Sequence, residues 1–323
     1  MRLRHAARWQ LTGLSPATLY DFELRSCRSG RCAHWSAPLR ATTKQRGPIG
    51  FDCQMFPADN PWRQDISHAA LDPKSNTYIS SIGANAHLHP DFGSDPTYGI
   101  PYVVVGPTQP RVPITFTAYG DQSDPGPYPV PLDAPVEAGS DQHVLVAQNG
   151  TCKLYELYNA QRNANGWNAG SGAIFDLNSN ALRPDSWTSA DAAGLPIFPG
   201  LVRYDEVQSG QIDHALRFTV ENTQRGYIHP ATHFASSSSD PALPPMGLRL
   251  RLKASYDISG FTGESRVVLE ALRRYGMFVA DNGSNWFISG STDRRWNDAD
   301  LEQLKTVPGS AFEVVKTGVI HTG

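Results

Sequence analysis

The sequence predicts an all-β protein: a large β-sandwich or jelly roll with two short helices. The first observation is a turn-rich composition, with 28 Gly and 25 Pro among 323 residues. The second is a series of short segments rich in β-branched and aromatic residues, separated by turn residues, which is typical of strands. The third is a hydrophobic content of 40% with only 18% charged residues, which favours a substantial core over long charged helices.

The first 44 residues form a segment of their own. They contain Leu14-Ser-Pro-Ala-Thr-Leu-Tyr20, then alternating Phe22 and Leu24, and they close on Trp35-Ser-Ala-Pro-Leu-Arg-Ala-Thr-Thr43. This pattern resembles the C-terminal half of a fibronectin type III domain with its tyrosine corner. The resemblance implies roughly three of the seven strands of such a module, and a spacer role as in secreted bacterial enzymes. Since half a sandwich cannot bury both sheet faces, and the chain begins without the apolar stretch of a signal peptide, we expect a signal peptide and further modules upstream.

The rest of the chain is predicted to be one large domain. Residues 45–50 read as a linker from their Gly and Pro content, 51–316 as the β-sandwich or jelly-roll domain, and 317–323 as a tail. Strands are predicted at 102–105, 112–119, 143–147, 152–158, 173–177, 215–220, 247–256 and 311–315. Helices are predicted at 265–275, where Val268, Leu269 and Leu272 share a face, and from Asn297, a helix cap, to 305. A shorter helical piece at 76–83 is also compatible with the sequence.

Three segments have more specific predictions. In 247–256, leucines alternate with basic residues, which predicts a strand whose arginines face solvent. Segments 276–280 and 286–289 flank the turn residues Asp281-Asn-Gly-Ser284 and are predicted to pair as a hairpin. The proline-rich stretch 124–133 is predicted to be an extended strap over the core.

The four cysteines favour two disulfides. Cys27 and Cys32 lie close enough in sequence to close a hairpin tip, and Cys53 and Cys152 can tie the start of the main domain to a strand. A zinc site formed by all four is the alternative, but no C-x2-C pair is present. Two disulfides indicate a protein that works outside the cytosol.

Charge and motifs exclude several function classes. The net charge is 28 − 31 = −3, which gives no reason to expect nucleic acid or an anionic membrane as a partner. No apolar run is long enough to cross a bilayer. Phosphate-binding loops, dinucleotide fingerprints, the G-x-S-x-G elbow and H-E-x-x-H are missing from the sequence. We expect a monomer with no cofactor, and structural calcium remains an alternative.

Two acids on neighbouring predicted strands are the candidate catalytic pair. Glu156 lies in KLYELY and Asp176 in GAIFDL, and we expect the two side chains to share one sheet face. One carboxyl would protonate a glycosidic oxygen and the other would act as nucleophile or base. His214, at the start of another strand, is a candidate proton shuttle, although a histidine at a strand edge is more often structural.

Aromatic residues near these acids are the candidate substrate-binding residues. Trp167, Trp187 and Tyr158 can stack on the apolar faces of sugar rings. The sequence therefore predicts an extracellular carbohydrate-active protein, a polysaccharide glycoside hydrolase if it is an enzyme. The alternatives are a polysaccharide-binding or cell-surface module that uses the same aromatics, and a structural sandwich without a ligand.

Other polar residues receive weaker predictions. Asp191 and Asp205 read as turn or capping residues. A metal site is the alternative interpretation of the histidines, which lie at His87, His89, His143, His229 and His233. Finally, Gly210-Gln-Ile-Asp-His-Ala-Leu216 and Tyr275-Gly with Ala280-Asp-Asn-Gly283 make the main domain similar to secreted bacterial β-sandwich proteins of unassigned activity. That resemblance implies no catalytic residues.

Overall fold

A computed structural model describes residues 19–28, 31–42 and 50–322. The chain divides into two compact units, Met1–Arg46 and Gly47–Gly323. None of the helices in the described part of the chain is long and apolar enough to cross a membrane.

The first unit contains two short antiparallel pairs. Strand β1 (Leu19–Phe22) pairs with β4 (Leu39–Thr42), and β2 (Cys27–Arg28) pairs with β3 (Arg31–Cys32). Cys27 and Cys32 form a disulfide across the second pair, as expected. Most of the predicted tyrosine-corner turn, 14–18, lies outside the described residues.

The main unit consists mostly of strands with few short helices, which confirms the prediction of a β-rich fold. The strands are β5 (His89–Asp91), β6 (Tyr102–Val105), β7 (Ile114–Phe116), β8 (Val144–Gln148), β9 (Lys153–Tyr158), β10 (Gln161–Arg162), β11 (Trp167–Ala169), β12 (Ser171–Asp176), β13 (Leu216–Val220), β14 (Arg249–Leu252), β15 (Met277–Asn282), β16 (Phe287–Ser289) and β17 (Phe312–Val314). The α-helices are α1 (Ser75–Ile82), α2 (Tyr204–Gln208), α3 (Gly263–Arg274) and α4 (Asp298–Leu301).

Helices α3 and α4 correspond to the two predicted helices. Helix α3 buries Val268, Leu269 and Leu272, the apolar face that the sequence indicated. At α4, the Asn297 side chain accepts a hydrogen bond from the backbone N–H of Asp300 at 3.2 Å. This is the predicted cap, and a 3₁₀ turn continues α4 to Thr306.

The strands of the main unit form three open sheets. One has four strands in the order β12-β9-β8-β6, and another has six in the order β17-β14-β15-β13-β16-β5. A smaller sheet has the order β10-β11-β7. The predicted hairpin of β15 with β16 is wrong, because β13 lies between these two strands and pairs with both. After β15 the chain therefore passes β13 and forms β16 on the far side of it, instead of folding back to pair with β15.

The four-stranded sheet is buried on both faces. Leu154 of β9 belongs to the main hydrophobic core, which also includes residues of the six-stranded sheet such as Phe218. Tyr155, on the opposite face of β9, packs in a second cluster with Tyr128 and Trp167. A strand covered on both sides offers no wet face, so polar residues on it must find partners inside the protein.

Strand β14 also differs from its prediction. Arg249 and Arg251 are buried instead of solvent-facing. The Arg249 guanidinium donates to the carbonyl oxygen of Tyr275 at 2.7 Å, and Arg251 pairs with Glu313 at 2.8 Å. These guanidinium groups can be buried because their planar array of N–H donors can bond to several acceptors at once.

Two links fix the ends of the main unit. Cys53 and Cys152 form the second expected disulfide, which joins the entry segment to the start of β9. Near the C-terminus, Tyr227 and His321 exchange backbone hydrogen bonds of 2.9 and 2.8 Å. The segment that we expected as a tail, 317–322, is therefore held against the unit at His321.

Candidate active site

The predicted Glu156–Asp176 pair does not share a sheet face. Strands β9 and β12 are neighbours as expected, but Glu156 lies opposite Ala173, while Asp176 lies opposite Lys153. Because side chains alternate along a strand, the two acids point to opposite faces. Asp176 is exposed and accepts a hydrogen bond from the backbone N–H of Asn178 at 2.9 Å. This expectation was wrong because periodicity does not give the register between two strands.

Glu156 is a buried anchor and is not open to a ligand. Its side chain is 0% exposed. The two carboxyl oxygens accept hydrogen bonds from the backbone N–H groups of Ile197 and Phe198, both at 2.9 Å. Burial raises the pKa of Glu156 to about 7, although the two hydrogen bonds oppose this. Its role in the structure is to hold the turn at 197–200.

His214 belongs to a closed polar cluster. Its Nδ1 lies 2.8 Å from the carbonyl oxygen of Ala215, and its Nε2 lies 3.1 Å from Glu206 and 3.0 Å from Arg203. All three of the charged or ionisable side chains are buried. Burial alone would raise the pKa of Glu206, but Arg203 and His214 outweigh it and lower that pKa. Both ring nitrogens of His214 have partners inside this buried cluster, although Arg203 Nε has none. This favours a structural role for His214 over the predicted proton shuttle.

The predicted aromatic platforms separate into different environments. Trp167 is 1% exposed and lies in the second hydrophobic cluster, so no sugar ring can stack on it. Trp187 is half-buried, and the Arg183 guanidinium lies 5.7 Å from the centre of its ring. Tyr158 lines a cavity of about 170 Å³. Of the six predicted site residues, Tyr158 is the one that the structure brings to this cavity.

The cavity collects residues from distant parts of the sequence. The residues that line it include three acids, two tyrosines and one histidine, which are Asp141, Asp191, Asp281, Tyr119, Tyr158 and His233. Ser171, at the start of β12, donates through its hydroxyl to the carbonyl oxygen of Ser189 at 2.7 Å. This bond links the four-stranded sheet to the loop that carries Asp191.

A bulge in β15 places Asp281 in the cavity wall. Phe218 pairs with Val279, but the next residue, Thr219, pairs with Asp281, so Ala280 is the extra residue. Such a bulge bends a strand and redirects the side chains that follow it. The carbonyl oxygen of Ala280 accepts a hydrogen bond from the backbone N–H of Ala193 at 3.0 Å. The bulge therefore also attaches the loop of Asp191 to the strand of Asp281.

Asp281 is a carboxyl group that can hold a proton at neutral pH. Its side chain is half-buried and accepts a hydrogen bond from the backbone N–H of Asn282 at 2.7 Å. Burial raises its pKa to about 7, and the neighbouring charge of Asp191 contributes in the same direction. Arg217 and His143 oppose the increase. A carboxyl with this pKa can act as a general acid near neutral pH.

Asp191 is the buried partner of Asp281. One oxygen, Oδ1, accepts from Arg217 Nη2 at 3.0 Å, and Arg217 Nη1 donates to Ser289 Oγ at 2.6 Å. The other oxygen, Oδ2, is buried without a hydrogen-bond partner, as is Arg217 Nε. Burial raises the pKa of Asp191 against the influence of Arg217, while the nearby acids outweigh burial and raise the pKa of Arg217. We take the pair as ionised, because neutral Asp191 would leave the Arg217 charge buried and uncompensated.

His143 holds the same loop from the other side. Its Nδ1 lies 2.5 Å from the carboxylate of Glu137, and its Nε2 lies 3.0 Å from the carbonyl oxygen of Ala190. Since both partners are acceptors, the ring satisfies both when each nitrogen carries a proton. Burial alone would lower the pKa of His143, but Glu137 outweighs burial and raises it. A cationic ring thus fixes the backbone next to Asp191.

The metal alternative finds no support in the arrangement of the histidines. His143 is bonded to Glu137, His229 pairs with Asp185 at 2.7 Å, and His233 contacts a backbone carbonyl. Within residues 19–28, 31–42 and 50–322, no three potential ligand side chains are grouped so that they could hold an ion.

The sequence did not single out the acids that line this cavity. Asp191 read as a turn residue, and Asp281 read as part of a hairpin turn. One signal was present: Arg217 interrupts the apolar strand sequence ALRFTV, and a charged residue is rarely buried without a partner. The partner lies 26 residues away in the chain, so the sequence did not identify it.

Comparisons of the chain with protein-family models, with curated proteins and with solved structures gave no match.

Proposed function

We propose that this protein is a carbohydrate-active hydrolase that cleaves a glycosidic bond in the cavity between Asp191 and Asp281. The observation that supports this most directly is the pair of unlike carboxyl groups. Asp281, with its pKa raised to about 7, can donate a proton, while Asp191 is held as a carboxylate by Arg217 at 3.0 Å. Burial raises the pKa of both carboxyl groups, and the ion pair with Arg217 is what distinguishes Asp191 as the carboxylate. One protonated and one ionised carboxyl group are what glycoside hydrolysis requires.

In this proposal each acid has a distinct role. Asp281 protonates the glycosidic oxygen as the bond to the leaving group breaks. The Asp191 side chain is 0% exposed in this structure, so substrate binding would have to uncover it before it could act on the sugar carbon, either directly as a nucleophile or through a water molecule as a base. A carboxyl separation of about 5–5.5 Å would favour the first course and one of about 6.5–9.5 Å the second.

The remaining wall residues fit a sugar ring. Tyr119 and Tyr158 offer ring faces for the apolar side of a pyranose, together with hydroxyl groups for hydrogen bonds. The volume of about 170 Å³ is below the roughly 300–1,000 Å³ of typical small-molecule pockets. The cavity thus suits one sugar unit of a longer chain, which is consistent with a polysaccharide partner.

The wider setting is also part of the proposal. Two disulfides support a protein that is secreted into an oxidising environment. We propose that the first unit is part of a fibronectin type III module that serves as a spacer. We further propose that the four-stranded and six-stranded sheets of the main unit form a sandwich, since residues of both contribute to one core.

The decisive experiment compares acids inside and outside the cavity. Release of reducing ends is measured on a polysaccharide panel for the wild type, Asp281→Asn, Asp191→Asn and the control Asp176→Asn. We expect both cavity variants to lose at least about a hundredfold in kcat/KM, within the range that acid–base groups contribute. The control should retain wild-type activity because Asp176 is not among the residues that line this cavity and lies at an exposed strand end.

The outcome separates the candidate functions. Loss of activity in Asp176→Asn with full activity in both cavity variants would refute the assignment of Asp191 and Asp281. Binding of a polysaccharide without turnover of any substrate would favour the alternative, a polysaccharide-binding or cell-surface module. Circular dichroism of each variant checks that the fold is retained.

A further inference from the structure

Two loops and one strand end form much of the cavity wall. Segment 188–192 supplies consecutive lining residues, segment 137–143 supplies Asp141, and Tyr158 is the last residue of β9. Neither loop belongs to a helix or a strand, so regular backbone pairing does not fix their relative position. Individual side-chain contacts have to do so instead.

The loop 137–143 is closed on itself by Glu137 and His143. The backbone N–H of Glu137 donates to the carbonyl oxygen of His143 at 2.9 Å, and the backbone N–H of His143 donates to Glu137 Oε2 at 3.2 Å. The His143 ring adds a third contact, since its Nδ1 lies 2.5 Å from the carboxylate of Glu137. The loop is also attached to the end of β9, because the carbonyl oxygen of Asp141 accepts from the backbone N–H of Asn159 at 2.7 Å.

The His143 ring joins this loop to the rest of the wall. Its Nε2 lies 3.0 Å from the carbonyl oxygen of Ala190, and its centre lies 5.9 Å from that of the Tyr158 ring. The ring is buried, so protein atoms have to satisfy both of its nitrogens. Glu137 and His143 are not among the residues that line the cavity. They can therefore affect a ligand only through the wall residues that they hold.

The surroundings of the ring favour its charged form. Burial, the largest influence, and Arg217 lower the pKa of His143, but Glu137 and Asp141 outweigh them and raise it. The charge of the ring in turn lowers the pKa of three other acids in this region, which are Glu156, Asp191 and Asp281. The ring is thus the cation that links the loop of Asp141 to the loop of Asp191.

The number of protons on the ring decides whether both of its contacts can form. The carboxylate of Glu137 and the carbonyl of Ala190 are both acceptors, so each ring nitrogen needs a proton. When the ring loses one proton, the remaining proton stays with the carboxylate, because a hydrogen bond to a charged acceptor is the stronger one. Nε2 then presents a lone pair to the carbonyl oxygen of Ala190, and that contact is lost.

We infer that Glu137 and His143 form a proton-dependent clamp that positions the two loops of the cavity wall and releases Ala190 when the ring loses one of its two protons. Both are positioning residues. The clamp itself rests on the contacts described above, whereas its importance for hydrolysis rests on the proposed function. The clamp is closed at acidic and neutral pH and opens as the pH rises through the folded-state pKa of His143.

Hydrogen exchange followed by mass spectrometry tests the clamp on the full chain without any ligand. The readout is the protection of amides in segment 186–195, expressed relative to an unstructured peptide at the same pH, from about pH 5.5 to about pH 9. In the wild type, we expect this protection to fall at least about tenfold across the range, which is the effect of losing one buried hydrogen bond.

Variants of the clamp should give a pattern that general destabilisation would not. His143→Gln can donate to only one of the two acceptors, so it should lose protection of segment 186–195 at every pH. Glu137→Gln should keep protection up to alkaline pH, because its amide can donate to Nδ1 and leave a neutral ring with its proton on Nε2, facing Ala190. His214→Gln is the matched control and should follow the wild type in this segment, since His214 is also a buried histidine with both nitrogens bonded and does not line the cavity.

Several results would overturn the clamp. These are wild-type protection that does not change with pH, a decrease that persists in Glu137→Gln, and a loss in His214→Gln as large as that in His143→Gln. If His143→Gln does not fold, the comparison of the wild type with Glu137→Gln still decides the question.

Turnover separates the clamp from the proposed hydrolysis. If the protein hydrolyses a polysaccharide, His143→Gln should lower kcat/KM at least about tenfold, because misplaced loops cost catalytic geometry, and wild-type turnover in this variant would overturn the positioning role. The expected exchange pattern without turnover of any polysaccharide would support the clamp and refute the proposed function. Hydrolysis without that exchange pattern would refute the clamp alone.

Discussion

Replacement of Asp281 by Asn should make the protein more stable at alkaline pH while it abolishes activity. In the folded protein the pKa of Asp281 is raised from 3.8 to about 7. The folded state therefore holds a proton on this carboxyl more tightly than the unfolded state does. Stability contributed by this group is consequently lost as the pH rises from about 4 to about 7.

The magnitude follows from the size of that difference. At about 1.36 kcal/mol per pKa unit, a change from 3.8 to about 7 corresponds to roughly 4 kcal/mol. Because Asp281 is only half-buried, solvent screening reduces this value, and we expect about 2–4 kcal/mol. Asparagine has the same shape, cannot ionise, and keeps an oxygen for the backbone N–H of Asn282. Asp281→Asn should thus match the wild type near pH 4 and exceed it by about 2–4 kcal/mol at pH 8.

The assay is urea denaturation at a series of pH values from 4 to 8, with unfolding monitored by tryptophan fluorescence. This signal reports mainly on the large unit, which contains Trp62, Trp167, Trp187, Trp286 and Trp296 of the seven tryptophans in the chain. Asp176→Asn serves as the control and should follow the wild-type curve. An Asp281→Asn curve parallel to that of the wild type over the whole range would show that Asp281 does not titrate as argued. The proposed general acid would then lose its basis.

Three further predictions concern the groups that support the site. Glu156→Gln should lower stability by about 1–3 kcal/mol near pH 4, because the amide nitrogen cannot accept from the second backbone N–H group. Since burial raises the pKa of Glu156 to about 7, that cost should shrink as the pH rises toward 7 and beyond; a direct catalytic role would instead appear as lost turnover in a stably folded variant. The double variant Cys53→Ser/Cys152→Ser should lose about 4 kcal/mol, since the disulfide closes a loop with a sequence separation of 99, and an unchanged denaturation midpoint would contradict this. His143→Ala should cost about 2 kcal/mol, most strongly below pH 6.5. Because the pKa of His143 is raised in the folded state, this cost should shrink as the pH rises through the folded-state pKa. A cost that grew with pH would refute the assignment of a positive charge to the His143 ring.

Local patterns in the sequence predicted the features that depend on neighbouring residues. The apolar face of helix α3, the Asn297 cap and the adjacency of β9 and β12 all follow from short-range spacing. The cysteine pairing was also accessible, because four cysteines at these separations allow few arrangements. Composition likewise indicated a β-rich fold, since Gly, Pro and aromatic residues are distributed throughout the chain.

The sequence of a strand does not tell whether other segments of the protein cover its second face. The alternation in β9 correctly separates Leu154 and Glu156 from Tyr155, but it does not tell which face meets solvent. In the folded protein other segments cover both faces, so Glu156 became an anchor for backbone N–H groups. The same effect buried the arginines of β14, which read as solvent-facing.

The cavity itself was decided by the tertiary structure. Asp191, Arg217 and Asp281 lie on a loop and on two parallel strands, β13 and β15, and each has an unremarkable local sequence. They meet because a bulge at Ala280 redirects Asp281 and receives the loop of Asp191 through a backbone hydrogen bond of 3.0 Å. The sequence by itself determined which strands and helices could form and which cysteines could join. The register, the bulge and the packing of loops decided which acids share a low-dielectric space, and that sharing is what shifts their pKa values.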